Sequence, residues 1–573
     1  MVGVSELQQL LGRRVADALA TTGVDITADE ALIRPSGRAG ADYQCNAAMS
    51  LGKKLGRPPR EVAQAIVDAL DAPEVAASEV AGPGFINFTL DTAWLAGALD
   101  GLDERLGVPA TAEPRRFALD YSSPNVAKEM HVGNMRSTII GESLLRLLRY
   151  AGHEVIPHNH LGDWGTPFGM LIEHLTDLGG AGEHSIGDLD GFYQAARKKF
   201  DADPDFADRS RLRVVALQSG DEATLALWRD LVAESARHFG KVYGLLGTSL
   251  TDEDIYGESF YNPYLAETIA EVEALGITSV SDGAVCVFPP GFANRDGDPL
   301  PLILRKRDGG YGYPVTDLAT VRYWVRERGV TDLLYVVGLP QSQHFQMVFS
   351  AAAMAGYLET GHSAVHIGFG TVLGADGKTI RTRSGGTIKL VALLEEAVQH
   401  AAKLVAERSR LDADAQAEVA RAVGLGAVKY ADLSGDREKD YTFTWERMLS
   451  TEGNTSVYLQ YANARIHSIL RKAGDTAPGP IRLQEPAERA LGLKLAQFPS
   501  AVAAAVEGYA PHKVCQHLFE TATAFTGFYE NCPILAESTP AEVRASRLAL
   551  AALTSAVLTR GLELLGIDAP TRM

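Results

Sequence analysis

The sequence lacks long apolar segments and is poor in cysteine. Because no run reaches about 18 apolar residues, we expect no membrane-spanning helix. The first residues contain no basic stretch followed by an apolar core, so we expect no secretory signal. The four cysteines lie far apart and none forms a Cys-x-x-Cys pair, which favours buried free thiols over a structural zinc site. These absences are typical of a cytoplasmic protein, and we predict that location.

Positive charge is also in deficit. The chain has 54 Lys and Arg residues against 72 Asp and Glu, which gives a net charge of −18. This balance argues against nucleic-acid binding by the surface as a whole, so a nucleic-acid partner would need local basic patches. The apolar content of 46% is ordinary for a globular protein, and 573 residues predict roughly three or four domains.

A strand, a loop and a helix are predicted between residues 117 and 151. The apolar run at 117–119 favours a strand, and the amphipathic helix that follows the loop stops before Gly152. A second strand-like run at 155–157 comes next, so the unit is predicted to be βαβ with parallel strands. The apolar positions of the helix, which begins near residue 135, are Ile140, Leu144, Leu147, Leu148 and Ala151.

The start of this helix is predicted to be the chemical centre. Its first amide groups and its positive dipole end point into the loop and favour a bound anion. Gly133 has no side chain, so a phosphate or a flat ring can approach the backbone there. His131 and Asn134 stand three residues apart, and both side chains can donate hydrogen bonds to phosphate oxygens. The pattern therefore predicts a nucleotide site formed by His131, Gly133 and Asn134.

The letters His-Val-Gly-Asn at 131–134 resemble the His-Ile-Gly-His element of class I aminoacyl-tRNA synthetases. The longer string Ser-Ser-Pro-Asn-Val-Ala-Lys-x-x-His-Val-Gly at 122–133 resembles the arginyl-tRNA synthetases in particular. The resemblance implies an α/β fold with a Rossmann-like parallel sheet, an insertion, a small N-terminal α/β domain and a C-terminal all-α bundle. The implied ranges are 1–112 for an N-terminal tRNA-contacting domain, 113–395 for the catalytic domain with its insertion at about 183–300, 396–447 for a helical connector, and 448–573 for the anticodon-binding domain.

Both ends of the chain extend this resemblance. Residues 85–90 alternate in polarity like a strand, in a region similar to the family domain that touches the outer corner of tRNA; a simple capping domain is the alternative. Tyr458, Tyr461 and Arg465 recur at helical spacing, and such side chains either stack on unpaired bases or form an ordinary core stripe. The tail at 569–573 resembles the end of the family's anticodon-binding domain, although Thr571 stands where the family usually has Glu.

A pocket selective for a guanidinium group needs a carboxylate supported by neutral acceptors. Asp317 is predicted to bind the guanidinium, and Asn125 the α-amino end. A structural alternative is that Asp317 lies in the first turn of a helix and suits the helix dipole. The residues that the resemblance implies for arginine binding are Asp120, Asn125, Tyr313, Asp317 and Gln341.

Residues 301–395 are predicted to return to the nucleotide-binding fold. The apolar runs at 302–304 and 333–337 favour two strands of that fold. Gln341 comes just after the second run, at the strand end where open α/β sheets bind ligands.

A glycine-rich, cationic loop follows at 374–387. Residues 376–389 contain two Lys, two Arg and one Asp, a net charge of +3. A mobile loop of this kind can close on a triphosphate and stabilise charge, whereas the alternative is a solvated hairpin. It resembles a degenerate form of the Lys-Met-Ser-Lys-Ser loop, which implies catalytic roles for Lys378, Arg381 and Arg383.

Two positions depart from the family pattern. Asn134 stands where the family usually has a second His, so it donates hydrogen bonds without carrying charge, and Arg381 stands where Lys is often found. In the family a Lys upstream of the His element is thought to offset a degenerate loop, and Lys128 occupies that position as a further catalytic residue. These departures concern the rate of adenylate formation more than the reaction itself.

The other polar motifs give weaker indications of function. His153, His158 and His160 suggest zinc, but their spacing suits a strand and loop and no cysteine joins them, so we predict no bound metal. Asp163 lies in a string that resembles a motif bordering the family's active site, and we assign it no role beyond capping a turn. The string at 258–263 is similar to the family but has no evident chemistry.

The resemblance therefore implies an arginine–tRNA ligase. Such an enzyme activates L-arginine with ATP to arginyl-adenylate, with Mg²⁺ accompanying ATP, and transfers arginine to the 3′ end of tRNA(Arg). We expect a monomer with no membrane contact. Two alternatives stay open: a duplicate synthetase with a specialised or resistance role, and a catalytically inactive tRNA-binding paralogue, which only the departures at Asn134 and Arg381 support.

Overall fold

The computed structural model describes residues 7–38, 40–179, 188–307, 309–380 and 388–573. Within these ranges no helix is both long and apolar enough to cross a membrane. All four cysteines are buried and free, as the sequence predicts.

The N-terminal region is a small α/β unit. Its strands form one antiparallel sheet in the order β1-β2-β4-β3 once they are numbered along the chain. The predicted strand at 85–90 is confirmed, and it lies in the interior of that sheet. The elements are α1 (Leu7–Ala20), β1 (Ile33–Pro35), β2 (Tyr43–Cys45), α2 (Ala47–Leu55), α3 (Pro59–Ala69), β3 (Val75–Ala81), β4 (Phe85–Leu90) and α4 (Thr92–Asp100).

The central region contains the parallel sheet and the segments inserted into it. Its helices are α5 (Val132–Tyr150), α6 (Pro167–Asp177), α7 (Leu189–Ala202), α8 (Pro204–Gln218), α9 (Glu222–Leu246), α10 (Asn262–Ala274), α11 (Tyr313–Arg322) and α12 (Ser342–Met354). Its strands are β5 (Arg116–Asp120), β6 (Glu154–His158), β7 (Thr278–Ser281), β8 (Ala284–Val287), β9 (Leu302–Arg305), β10 (Asp332–Tyr335), β11 (Ser363–His366) and β12 (Val372–Leu373). A π-helical turn, Tyr323–Glu327, extends α11.

Four parallel strands form the sheet that carries the predicted chemistry, in the order β11-β10-β5-β6. Successive side chains point to opposite faces of a strand, so each face has its own core. Leu119 of β5 packs into the core that includes α5, whereas Ala118 packs into the core that includes α10, α11 and α12. The predicted βαβ unit is therefore confirmed as β5-α5-β6, with parallel strands.

Helix α5 differs from the prediction in two ways. It begins at Val132 rather than near 135, because His131 provides the N-cap. It is also buried on nearly all sides rather than amphipathic, since the sheet and the C-terminal helices enclose it. The Arg136 side chain is 2% exposed and binds Asp432 at 2.6 Å between nitrogen and oxygen, so the charge that burial would penalise is paired.

One strand belongs to another sheet than the one predicted. Residues 302–305 form β9 as a strand, but β9 pairs with β8 in a separate antiparallel sheet of three strands, β7-β8-β9. The prediction that the strand at 302–304 lies within the nucleotide-binding fold is therefore wrong. A short apolar run identifies a strand but not its partner, since pairing is decided by tertiary contacts.

The C-terminal part of the chain is almost entirely helical, as predicted. Helix α5 contacts this part directly, which anchors the helical region to the sheet. The elements are α13 (Leu390–Arg408), α14 (Ala413–Leu433), β13 (Tyr441–Thr442), α15 (Trp445–Met448), α16 (Ser456–Lys472), α17 (Pro486–Ala496), α18 (Phe498–Glu507), α19 (His512–Asn531) and α20 (Ala541–Leu564).

Candidate active site

The N-terminus of α5 is closed by its own side chains. The Nδ1 atom of His131 accepts a hydrogen bond from the Gly133 amide at 2.9 Å, and the His131 amide donates to the Asn134 side-chain oxygen at 3.2 Å. This reciprocal cap satisfies the Gly133 amide, which the sequence analysis left for an anion. The imidazole Nε2–H and the Asn134 amide nitrogen remain as donors. A Cβ atom at Gly133 would lie 2.6 Å from the His131 ring, so a larger residue there would displace the imidazole from its capping position.

The loop between β5 and α5 has an unusual backbone. Ser122, Ser123 and Ala127 adopt left-handed conformations, with φ of 72°, 45° and 60°. Such angles are costly for residues other than glycine and persist where surrounding contacts impose them. Here the Ser122 amide donates to the Ser137 hydroxyl at 2.9 Å, and the Ala127 amide donates to the Ser235 hydroxyl at 2.9 Å. Helices α5 and α9 therefore hold the loop in one shape.

A cavity of about 640 Å³ lies at the carboxyl ends of the parallel strands. Its lining includes all five residues predicted to bind arginine and one predicted catalytic cation: Asp120, Asn125, Tyr313, Asp317, Gln341 and Lys128. The described residues His131, Gly133, Asn134 and Lys378 are not part of this lining. A larger cavity of about 1050 Å³ lies between α1, α18 and the linker at 108–112, and it contains none of the predicted residues. The smaller cavity is therefore the candidate site.

Asp317 lies in the second turn of α11, because that helix begins at Tyr313. The prediction of a first-turn position is wrong, and the dipole interpretation loses its basis since the effect of the dipole fades beyond the first turn. The carboxylate instead binds His344 on α12, with 2.6 Å between Oδ2 and Nε2. His344 lines the same cavity, and the sequence analysis did not identify it.

Two more carboxyl groups line the cavity. Asp120 ends β5 and accepts a hydrogen bond from the Ser123 hydroxyl at 2.6 Å, and its burial raises its pKa to about 7. Burial, together with the negative charges of Asp163 and Asp317, raises the pKa of Glu258 to about 8. No chemistry was predicted for Glu258. Its one sequence signal was an acid within a string similar to the family, but only the fold brings that string to the cavity.

Asp163 holds the segment that carries Glu258. Its carboxylate accepts hydrogen bonds from the Ser259 amide at 2.8 Å and the Ser259 hydroxyl at 2.6 Å. Gly257 passes so close that an added Cβ would lie 2.5 Å from an Asp163 oxygen. Asp163 thus caps a turn, as predicted, but the turn belongs to a distant segment rather than to its own loop.

His158, the last residue of β6, and His160 just beyond it belong to an aromatic cluster. His158 and His160 lie 3.3 Å apart between ring nitrogens, and both rings contact Tyr261. Burial lowers the pKa of both side chains, which keeps them neutral. Across the described residues, no three His, Cys, Asp or Glu side chains are grouped so as to hold a metal ion.

Lys128 extends over the Tyr193 ring of α7, with its ammonium nitrogen 4.7 Å from the ring centre. A cation in this position is attracted by the face of the ring. Tyr193 also lines the cavity, so the inserted helices help to hold Lys128 at its rim.

The predicted cationic loop at 374–387 begins in described structure, and the described part of the chain resumes at residue 388. Lys378 is exposed, and its carbonyl accepts a hydrogen bond from the Gly374 amide at 2.7 Å in a tight hairpin. Two residues after the loop, Lys389 forms a β-bridge with His131, and its ammonium group binds Glu129 at 2.8 Å. The chain that follows the loop therefore lies beside the start of α5. The predicted catalytic residues Arg381 and Arg383 lie outside the described residues.

A second polar surface lies on the C-terminal helices. Tyr461 of α16 and Tyr529 of α19 are exposed, and the Arg465 guanidinium lies 5.0 Å and 5.6 Å from their ring centres. Tyr458, by contrast, is partly buried, and its hydroxyl is 3.1 Å from that of Thr526. The predicted stripe thus contains an exposed aromatic residue, Tyr461, and a packing residue, Tyr458, while Tyr529 joins the surface from another helix.

Comparison with known proteins covers nearly the whole chain. Residues 7–90 match the family model described as the arginyl tRNA synthetase N terminal domain, 101–445 match that of class I (R) tRNA synthetases, catalytic domain, and 459–573 match the DALR anticodon binding domain. Curated relatives include the arginine–tRNA ligase of Thermobifida fusca, 51% identical over 100% of both chains, and that of Cellvibrio japonicus, 47% identical over 99% of this chain and 100% of the relative.

Solved structures agree with these sequence matches. The arginyl-tRNA synthetase of Thermus thermophilus superposes with a TM-score of 0.84 at 27% identity, covering 99% of this chain and 100% of the other. That of Plasmodium falciparum superposes with a TM-score of 0.82 at 26% identity, covering 99% and 98%. The parallel sheet, helix α5 and the helical C-terminal domain thus have the architecture of one family along the whole chain. This chain belongs to the arginyl-tRNA synthetases, within the class I aminoacyl-tRNA synthetases.

Proposed function

We propose that this arginine–tRNA ligase selects its amino acid by binding the guanidinium group of arginine between Glu258 and Asp317. The support is the concentration of carboxyl groups in one cavity and the raised pKa of Glu258, which is caused first by burial and then by the negative charges of Asp163 and Asp317. A guanidinium brings a permanent positive charge and a planar fork of donors, so it suits two acceptors at once. Asn125, Tyr313 and Gln341 would hold the rest of the substrate, and Asp120 would add negative charge beneath it.

The first reaction needs no protein nucleophile. The arginine carboxylate is already ionised, and one of its oxygens attacks the α-phosphorus of ATP, so that the bond to the bridging oxygen breaks and pyrophosphate leaves. Catalysis then consists of alignment and of stabilising charge on the phosphates. His131 and Asn134 would donate through the two groups that their cap leaves free, and Lys128 would contribute a positive charge from the rim of the cavity.

Magnesium would enter with ATP. The side chains proposed around the phosphates, Lys128, His131 and Asn134, are cationic or nitrogen donors, so they suit phosphate oxygens rather than a metal ion. Phosphate oxygens and water would therefore hold Mg²⁺, which commonly keeps several waters in nucleotide sites. When bound, the ion would neutralise phosphate charge.

The second substrate is tRNA. We propose that Tyr461 and Tyr529, clamped by Arg465, form a stacking platform for unpaired bases of the anticodon loop, since exposed aromatic and guanidinium planes bind bases in this way. The N-terminal domain would contact another part of the same tRNA. The predicted domain ranges, a monomeric state and a cytoplasmic location stay predictions.

One experiment tests the activity. We expect pyrophosphate exchange into ATP with L-arginine and with none of the other nineteen amino acids, measured with and without tRNA(Arg). The cavity with its acidic lining carries this expectation. Absence of exchange under both conditions, with tight tRNA binding retained, would instead favour an inactive tRNA-binding paralogue.

Arginine binding is expected to tighten with rising pH. In the free enzyme the pKa of Glu258 is about 8 and that of Asp120 about 7, so both carboxyl groups are partly protonated near neutral pH. A bound guanidinium favours the ionised carboxylates and expels these protons, so affinity increases as pH rises through the free-state pKa values. The KM for arginine should fall by up to about tenfold per pH unit for each proton released.

The same exchange assay, run across pH for the wild-type enzyme and Glu258→Gln, measures this effect. Glu258→Gln should weaken the dependence of the KM for arginine on pH at the upper end of the pH range. The KM for ATP serves as the internal control. A KM for arginine that stays constant or rises with pH in the wild type would contradict the assignment.

A further inference from the structure

The bond between Asp317 and His344 joins two helices across the candidate site. Asp317 comes from α11 and His344 from the first turn of α12, and their side chains are 20% and 29% exposed. The distance of 2.6 Å is short for a nitrogen and an oxygen, as expected when one partner carries charge. The bond raises the pKa of His344, which favours the imidazolium form.

The His344 ring also packs against an aromatic neighbour. It contacts Phe345 edge to face, with ring centres 5.5 Å apart. Phe345 is buried and lies against Tyr335 at the end of β10 and against His366 at the end of β11. Phe345 itself lines the cavity, so the packing of this ring against the ends of β10 and β11 helps to set the position of the imidazole.

This geometry leaves the two oxygens of Asp317 unequal. His344 occupies Oδ2, whereas Oδ1 receives no hydrogen bond from the side chains that the structure describes. Each carboxylate oxygen can accept two hydrogen bonds, so His344 takes one of the two acceptor positions of Oδ2, and Oδ1 is the oxygen with both positions open to a guanidinium. The remaining N–H groups of the guanidinium can then donate to another acceptor, and Glu258 lines the same cavity.

We infer that His344 is a positioning residue for amino-acid recognition: it holds one oxygen of Asp317 and presents the other to the guanidinium group. The inference rests on the proposed role of Asp317. A forked cation can then bridge Asp317 and Glu258, whereas a carboxylate free to rotate could engage the fork with both oxygens or turn away from it. His344 itself touches Asp317 rather than the reacting atoms, so it acts through that carboxylate.

Two substitutions separate a hydrogen-bonding role from a packing role. His344→Leu removes the donor, and the KM for arginine in the exchange assay should rise roughly 10- to 100-fold, the effect typical of losing a hydrogen bond to a charged group. The KM for ATP should stay within about twofold. His344→Gln can place an amide donor near the same oxygen, so it should restore most of the arginine affinity. Gln346→Ala, an exposed change on the same helix, is the matched control.

A double-mutant cycle tests whether His344 works through Asp317. In the Asp317→Asn background, His344→Leu should have little further effect on arginine affinity, because its partner is already altered. Additive losses, a normal KM for arginine in His344→Leu, or an equal rise in both KM values would each overturn the inference. If Asp317→Asn alone leaves arginine kinetics unchanged, the proposed arginine site fails first, so the two failures are distinguishable.

Discussion

Asp317→Asn is expected to raise the KM for arginine by roughly 100-fold while the KM for ATP stays close to that of the wild type. The substitution keeps the shape of the side chain but removes the negative charge that we assign to the guanidinium. Breaking a hydrogen-bonded charge pair of this kind costs about 3 kcal/mol, which corresponds to roughly two orders of magnitude in affinity. Steady-state pyrophosphate exchange with arginine varied at saturating ATP measures the effect.

Asp230→Asn provides the matched control, because Asp230 is exposed on α9 and outside the cavity lining. It removes the same charge from the same domain and should leave both KM values unchanged. Unaltered arginine kinetics in Asp317→Asn would remove this residue from the pocket and leave Glu258 as the remaining candidate for the guanidinium.

Lys128→Ala is expected to lower the turnover number of pyrophosphate exchange by roughly 100-fold, with little change in the KM for tRNA. Removing one group that stabilises transition-state charge typically costs a factor of about 100 to 1000 in kcat. Lys128 is the predicted catalytic cation that lines the cavity, and the face of Tyr193 helps to hold it there. Its loss should therefore affect the chemical step more than the binding of either large substrate.

Lys198→Ala is the control for this variant, since Lys198 is an exposed cation on the same inserted helix as Tyr193. A normal turnover number in Lys128→Ala would mean that the cations of the loop that contains Lys378 suffice. In that case Lys378→Ala should produce the large loss instead.

The local elements near the active site could be predicted from the sequence because short-range rules decide them. The apolar run, the polar loop, the helix and the second strand follow one another between residues 116 and 158, and β5, α5 and β6 form there. The prediction failed at two helix starts. The His131 side-chain cap starts α5 three residues early, and α11 begins at Tyr313 without a side-chain cap, so Asp317 falls in its second turn.

Contacts between residues far apart in the sequence could not be predicted from local patterns. The run at 302–304 was recognised as a strand, but its pairing with β8 depends on which edge it meets in the folded chain. Glu258 and His344 were not predicted as site residues because neither lies in a local pattern with obvious chemistry. Each becomes a site residue only because its segment ends at the same cavity as β5.

The sequence by itself determined the family, the secondary structure around α5 and the residue types that bind phosphate and a guanidinium. Neighbouring residues and the spacing of motifs carry that information. The tertiary structure alone decided which carboxyl groups converge, which oxygen of Asp317 stays open and where Lys128 is held. Those relations join residues far apart in the chain, and only the packing of α7, α11 and α12 around the strand ends brings them within hydrogen-bonding or ring-contact distance.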